Sequence, residues 1–143
     1  MRYLIVCGGK TDKEFGLNEI KTDGIDAIIA ADSGMDFLYE NGVTPDIIVG
    51  DFDSATTKSL EYFERKGQTE LHRLNPIKDD TDTEYAIRLA IREGARSIVL
   101  LGATGSRIDH VLGNISLLGI GLESKTDISI IDTNNRIRMS DKP

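Results

Sequence analysis

Six short apolar runs, with helical signals between them, restrict this chain to one kind of architecture. They cover residues 3–6, 27–30, 47–49, 70–74, 98–101 and 128–131. None approaches the roughly 18–20 residues that a membrane helix needs. Runs this short and this continuous fit strands buried on both faces, the condition of a parallel sheet. The fourth run is the most polar and reads as an edge strand. Between the runs, Asp32 or Ser33 can cap a helix that ends near Asn41-Gly42, and residues 56–65 form another, stopped by Gly67. Thr81-Asp82-Thr83-Glu84 matches a capping box and opens a helix whose apolar face holds Ala86, Leu89 and Ala90, with Gly94 as its stop. A last helix is expected over residues 108–122, carrying Val111, Leu112, Ile115 and Leu118, and a weaker one over 11–20. The expected fold is a Rossmann-like three-layer α/β sandwich: a mostly parallel sheet of about six strands with helices on both faces. Residues 1–132 are expected to form one domain, and residues 133–143 a polar tail without a packed element.

Charge and cysteine content narrow the setting. The formal net charge of −7 opposes general nucleic-acid binding, which depends on neutralising phosphates with Lys and Arg. It leaves a nucleotide ligand open, because metal ions can bridge acids to phosphates. A single cysteine, Cys7, fits a reducing compartment. The apolar segment at the N-terminus is too short for a signal peptide and reads as a first strand. A cytoplasmic protein with no membrane partner is expected.

In open α/β sheets, ligands bind outside the C-terminal ends of the strands. The unusual motifs of this chain all fall there: Gly8-Gly9-Lys10, Asp32-Ser33-Gly34, Gly50-Asp51-Phe52-Asp53-Ser54, Lys78-Asp79-Asp80-Thr81-Asp82, Gly102-Ala103-Thr104-Gly105-Ser106-Arg107-Ile108-Asp109-His110, and Asp132. The loops at the opposite edge look like plain turns. Asp51 and Asp53 lie two apart at a strand end, so their carboxylates point the same way and repel unless a cation or a proton relieves them. Helix capping would explain one of them but not both. Asp79, Asp80 and Asp82 suit the first turn of a capped helix, yet beside Asp51 and Asp53 they also read as the second half of a metal cage. Arg107 opposes the dipole at a helix start and calls for an anionic partner, either a ligand or an Asp. His110 is a lower-ranked candidate, and His72 carries no signal. The glycine loop is neither a Walker A loop nor a dinucleotide fingerprint.

Together these residues resemble the thiamine pyrophosphokinases, from Cys7-Gly8-Gly9 to Asn114. The Gly-Asp-Phe-Asp-Ser segment, followed at this distance by Lys-Asp-x-Thr-Asp, is the specific part. The resemblance implies diphosphate transfer from ATP to the hydroxyethyl group of thiamine, giving thiamine diphosphate and AMP, with Mg²⁺. It implies that Asp51, Asp53, Asp79 and Asp82 hold the metal and the ATP phosphates as the catalytic set. Asp32, Ser33, Ser54, Lys78, Thr81, Gly105, Arg107, Asp109 and His110 would contact nucleotide or substrate. It also implies a homodimer in the full-length protein. There a C-terminal β-sandwich domain helps form the thiamine pocket across the subunit interface. The chain stops at Pro143, about where that domain would begin. The resemblance therefore covers the ATP-binding catalytic domain, and poor thiamine turnover is expected of this chain alone.

Three other readings use the same residues. A haloacid-dehalogenase-type phosphatase also places Asp-x-Asp after an apolar strand, but expects Thr or Val where Ala55 stands, and after the first strand rather than the third. A diphosphokinase for another alcohol, such as a pterin, would share the Asp cluster. A non-catalytic nucleotide-binding domain would keep the loops without turnover.

Overall fold

The apolar runs do form strands, and a seventh follows them. The computed structural model describes residues 1–52, 57–75 and 81–142. The strands are β1 (Arg2–Val6), β2 (Ala27–Ala31), β3 (Ile47–Gly50), β4 (Glu70–Arg73), β5 (Ser97–Leu101), β6 (Asp127–Ile131) and β7 (Arg136–Arg138). They make one sheet in the order β4-β3-β2-β1-β5-β6-β7. The first six run parallel, and β7 is antiparallel to β6. As expected, the polar β4 lies at an edge.

The helices are α1 (Lys13–Ile20), α2 (Gly34–Glu40), α3 (Thr57–Lys66), α4 (Asp82–Arg92), α5 (Ile108–Ser116) and α6 (Leu118–Ser124). Side chains alternate across each strand, so Leu4 and Val6 meet one helical layer while Tyr3 and Ile5 meet the other. The first layer brings Met35 and Leu38 from α2 and Leu60 and Phe63 from α3. The second brings Ala86, Ile87, Leu89 and Ala90 from α4 and Leu118 from α6. This division follows from topology. The chain winds outward from β1 to β4, then crosses back through α4 to β5 on the other side of β1. Crossovers between parallel strands keep one hand, so a reversed direction puts the later helices on the opposite face. Among the described residues, no helix is long and apolar enough to cross a membrane.

Two expectations change. The helix expected over 108–122 is two helices. At Leu117 the backbone stays helical (φ −67°, ψ −19°). The bonding tightens there: the Leu117 N–H donates to Asn114 O (3.1 Å) and the Ile120 N–H to Leu117 O (3.0 Å). Of the apolar side chains assigned to that helix, Leu118 is buried, whereas Leu112 is 59% exposed. Residues 133–143 are also not wholly unpacked. Ile137 pairs with Ile130 and packs on the core cluster that includes Tyr3.

The start of α2 lies against the end of β1. A Cβ on Gly34 would overlap the Val6 carbonyl oxygen and come within 2.6 Å of its carbon. Neither backbone atom can move without disturbing the central strand. Gly34→Ala is expected to destabilise the fold by about 1–3 kcal/mol, read as a lower denaturation midpoint with an unchanged slope.

Candidate active site

The strand order reverses between β1 and β5, and a crevice opens where their outgoing loops part. A cavity of about 1160 Å³ lies there. It is bordered by the loop after β1, the end of β2, the glycine loop after β5, the turn after β6, and the first turn of α4. Its walls are joined by backbone and side-chain hydrogen bonds. The Gly9 N–H donates to Gly102 O (2.8 Å) and the Cys7 N–H to Leu101 O (2.7 Å). Asn114 Nδ2 donates to Ala103 O (2.8 Å), tying the glycine loop to α5. The Thr104 hydroxyl donates to Asp132 Oδ2 (2.8 Å), tying the same loop to the end of β6. Asp132 Oδ1 accepts from the backbone N–H groups of Asn134 (2.8 Å) and Asn135 (2.7 Å). Burial raises the Asp132 pKa, but these hydrogen bonds outweigh it and hold the carboxyl below its ordinary range.

The carboxylates gather on the other wall. Asp82 begins α4, just after the N-cap Thr81, whose hydroxyl accepts from the Glu84 N–H (3.1 Å). Asp32 ends β2 in a left-handed conformation, with φ +48°. Its Oδ1 is buried without a hydrogen-bond partner among the described residues. Burial, then the charges of Asp32 and Asp51, push Asp82 up to about 6. Burial, then the charge of Asp51, raise Asp32, partly offset by the Ser33 backbone N–H. The charge of Asp51 therefore reaches both Asp32 and Asp82, although Asp51 itself does not border the cavity. Gly50 makes room for this approach: a Cβ there would lie 3.0 Å from Asp32 Oδ1.

Among the described residues, the cavity's acids are Asp12, Asp32, Asp82, Glu84, Asp109 and Asp132, against Lys10, Arg107 and His110. The Arg107 guanidinium is already paired with Asp109 through Nη2–Oδ2 (2.7 Å) and Nε–Oδ1 (3.2 Å). That hydrogen bond holds the exposed Asp109 carboxyl below its usual range. The anionic partner expected of Arg107 is thus an Asp of its own helix start. Cys7 is a buried neutral thiol, pushed up to about 11 by burial, and the Thr83 hydroxyl donates to its Sγ (3.7 Å).

Of the residues singled out by sequence, Asp32, Ser33, Thr81, Asp82, Gly105, Arg107, Asp109 and His110 border this one cavity. Asp53, Ser54, Lys78 and Asp79 lie outside the described residues. Among the described residues, no group of three or more His, Cys, Asp or Glu stands ready to hold a metal ion. Lys10 and Asp132 were placed at the ligand edge by sequence without a role; both line the cavity. Asn114 entered only at the end of the matching segment, and no sequence signal marks its bond to Ala103. His72, without a signal in the sequence, sits between Glu70 Oε1 (2.8 Å from Nε2) and the Tyr85 hydroxyl (3.0 Å from Nδ1), away from the cavity.

A carboxyl whose folded pKa is raised stabilises the fold below its unfolded value, about 4, and loses that contribution as pH rises through about 6. Asp82→Asn removes the group that must ionise. The variant is expected to melt at a higher temperature than its parent at neutral pH, and at the same temperature in acid below the ordinary carboxylate range. Thermal melts at both pH values check this.

Known proteins match both the chain and its fold. The family model described as thiamin pyrophosphokinase, catalytic domain, matches residues 21–131. Thiamine pyrophosphokinase of Bacillus subtilis (strain 168) is 38% identical over 111 residues, covering 78% of this chain and 51% of that protein. A crystal structure of thiamine pyrophosphokinase from Bacillus subtilis superposes with a TM-score of 0.83 at 32% identity, over 98% of this chain and 64% of that one. The corresponding structure from Geobacillus thermodenitrificans gives 0.74 at 31% identity, over 92% and 60%. The chain spans about half the length of the Bacillus subtilis relative. With the family model matched over most of its length, the chain belongs to the thiamin pyrophosphokinase catalytic-domain family.

Proposed function

We propose that this chain carries the nucleotide half of a Mg-dependent diphosphotransferase, which moves diphosphate from ATP to the hydroxyethyl group of thiamine and releases AMP. The observation that carries this reading is the carboxylate cluster at the crevice, where burial and neighbouring charge push Asp82 up to about 6. A wall so rich in acids repels a bare polyphosphate. It suits a polyphosphate that arrives with a hard cation. The buried, unpartnered Oδ1 of Asp32 and the all-oxygen donor set fit Mg²⁺. The ion would be held by Asp51, Asp53, Asp79 and Asp82, and when bound would neutralise charge on the phosphates.

The chain's own residues supply binding and orientation. The glycine loop after β5 offers backbone N–H groups at the start of α5, where an anion is favoured. Ser33, Ser54, Lys78, Thr81, Arg107 and His110 surround the nucleotide and the transferring group in this reading. The alcohol oxygen attacks the β-phosphorus, the bond from that phosphorus to the α-phosphate oxygen breaks, and AMP leaves. An aspartate of the cluster accepts the hydroxyl proton. Positioning and charge neutralisation account for most of the acceleration. A homodimer supplies the rest of the thiamine site, and a single cysteine suits a reducing, cytoplasmic setting.

The test is incubation with Mg-ATP and either thiamine or a hydroxymethyl pterin, with AMP as the readout. Slow AMP formation that requires both thiamine and Mg²⁺ is expected. Asp51→Asn is expected to lower its rate by at least about 100-fold, as when a charge-stabilising group is lost. AMP formed only with the pterin, or phosphate released from simple phosphoesters, would replace this reading with a rival.

A further inference from the structure

Phe52 stands between the two aspartates of the Gly-Asp-Phe-Asp-Ser segment with a φ of +65°. A bulky residue adopts that left-handed conformation only where its surroundings over-determine it. Here they do so from several sides. The ring packs on the core cluster that holds Ile48, Leu60 and Phe63. It lies over Gly50, where a Cβ would be 3.2 Å from Phe52 Cε1. The Arg73 guanidinium carbon stands 5.1 Å from the ring centroid. Arg73 is aimed by its place in the sheet: it is in register with Gly50, and the next residue, Leu74, donates its N–H to Gly50 O (2.8 Å). Glu64 of α3 holds it from outside, at 3.6 Å from Nη2. The strand end so clasped is the one beside Asp32, whose N–H donates to Val49 O (2.7 Å).

We propose that Phe52 and Arg73 are positioning residues, a ring–guanidinium clasp that fixes the left-handed turn after β3 and so presents Asp51 beside Asp32. The proposal rests on the metal–nucleotide reading of that wall. Arg73 acts at a distance from the reacting atoms: it holds the ring, the ring holds the turn, and the turn holds the carboxylate. Nothing in the sequence suggests this, because Arg73 ends the most polar strand and precedes the acidic loop by several residues.

Mn²⁺ binding in the presence of ATP, followed by electron paramagnetic resonance, tests it. Phe52→Leu keeps bulk but loses the aromatic face, and is expected to weaken Mn²⁺ binding about tenfold. Arg73→Gln is expected to weaken it about threefold to fivefold, the range of an exposed cation–ring contact. Arg73→Lys restores the cation and is expected to stay within about twofold of the parent, a rescue that a merely structural role for the guanidinium fork would not give. Circular dichroism shows whether each variant is folded. Should Phe52→Leu fail to fold, Arg73→Gln decides the matter, since that side chain is 58% exposed. If the parent binds Mn²⁺ with ATP and the folded variants match it, the clasp is wrong and the functional reading stands. If the parent shows no ATP-dependent Mn²⁺ binding, the functional reading falls and the clasp with it.

Discussion

The parallel pairing of β1 with β5 is the contact on which the rest of the molecule depends. Five residue pairs, from Arg2–Ser97 to Val6–Leu101, are in register there. Leu4, Ile5, Val6, Ile98 and Leu100 are essentially inaccessible to solvent. These strands are far apart in sequence, and each continues toward a different edge of the sheet. That divergence divides the helices between two faces, and it opens the crevice. The site is therefore a consequence of topology before it is a consequence of any single side chain.

What the topology brings together is electrostatically costly. Asp32, Asp51 and Asp82 come from three separate strand ends or helix starts; besides burial, the charge of Asp51 disfavours ionisation of Asp32, and the charges of Asp32 and Asp51 disfavour that of Asp82. The wall beneath is built from the buried ends of β2 and β3. Asp32 and Phe52 both hold left-handed backbone just after these adjacent strands, and both lie close to Gly50. Strain and like charge concentrated at one point, with unstrained strands around it, is the pattern of a site organised for a ligand of opposite charge.

The sheet could be read from sequence because its strands are buried on both faces, so that unbroken apolar runs mark them. The ligand edge could be read because the densest aspartate and glycine motifs lie in the loops leaving those strands. Three features could not. β7 is Arg-Ile-Arg, polar at two of three positions, and it is placed by the Asp132 turn rather than by an apolar run. Asp132 could be placed at the ligand edge from sequence, but its bond to Thr104, 28 residues away, is defined only by the fold. Of the apolar positions expected on the last helix, Leu118 is buried, whereas Leu112 is 59% exposed. Periodicity reports that a helix has an apolar side, and says nothing about whether anything covers it.

That last point separates the two walls of the crevice. The carboxylate wall grows out of the strand ends and of α4, whose apolar face is buried against β1, β2 and β3. The opposite wall is the glycine loop and α5, a helix with no buried residue of its own. Its packing comes from Ala103 of the loop, which is buried in the core, and from Ile115 of α5, which is partly buried against it. Polar anchors add to this, chiefly Asn114 to Ala103 and Thr104 to Asp132. Local stability follows buried apolar contact, so α5, with no fully buried residue, is expected to open at a lower free-energy cost than α4, which has four. The crevice thus has one wall grown from the core and another held largely by polar anchors, and Arg107, paired with Asp109 at the surface, lies on the second.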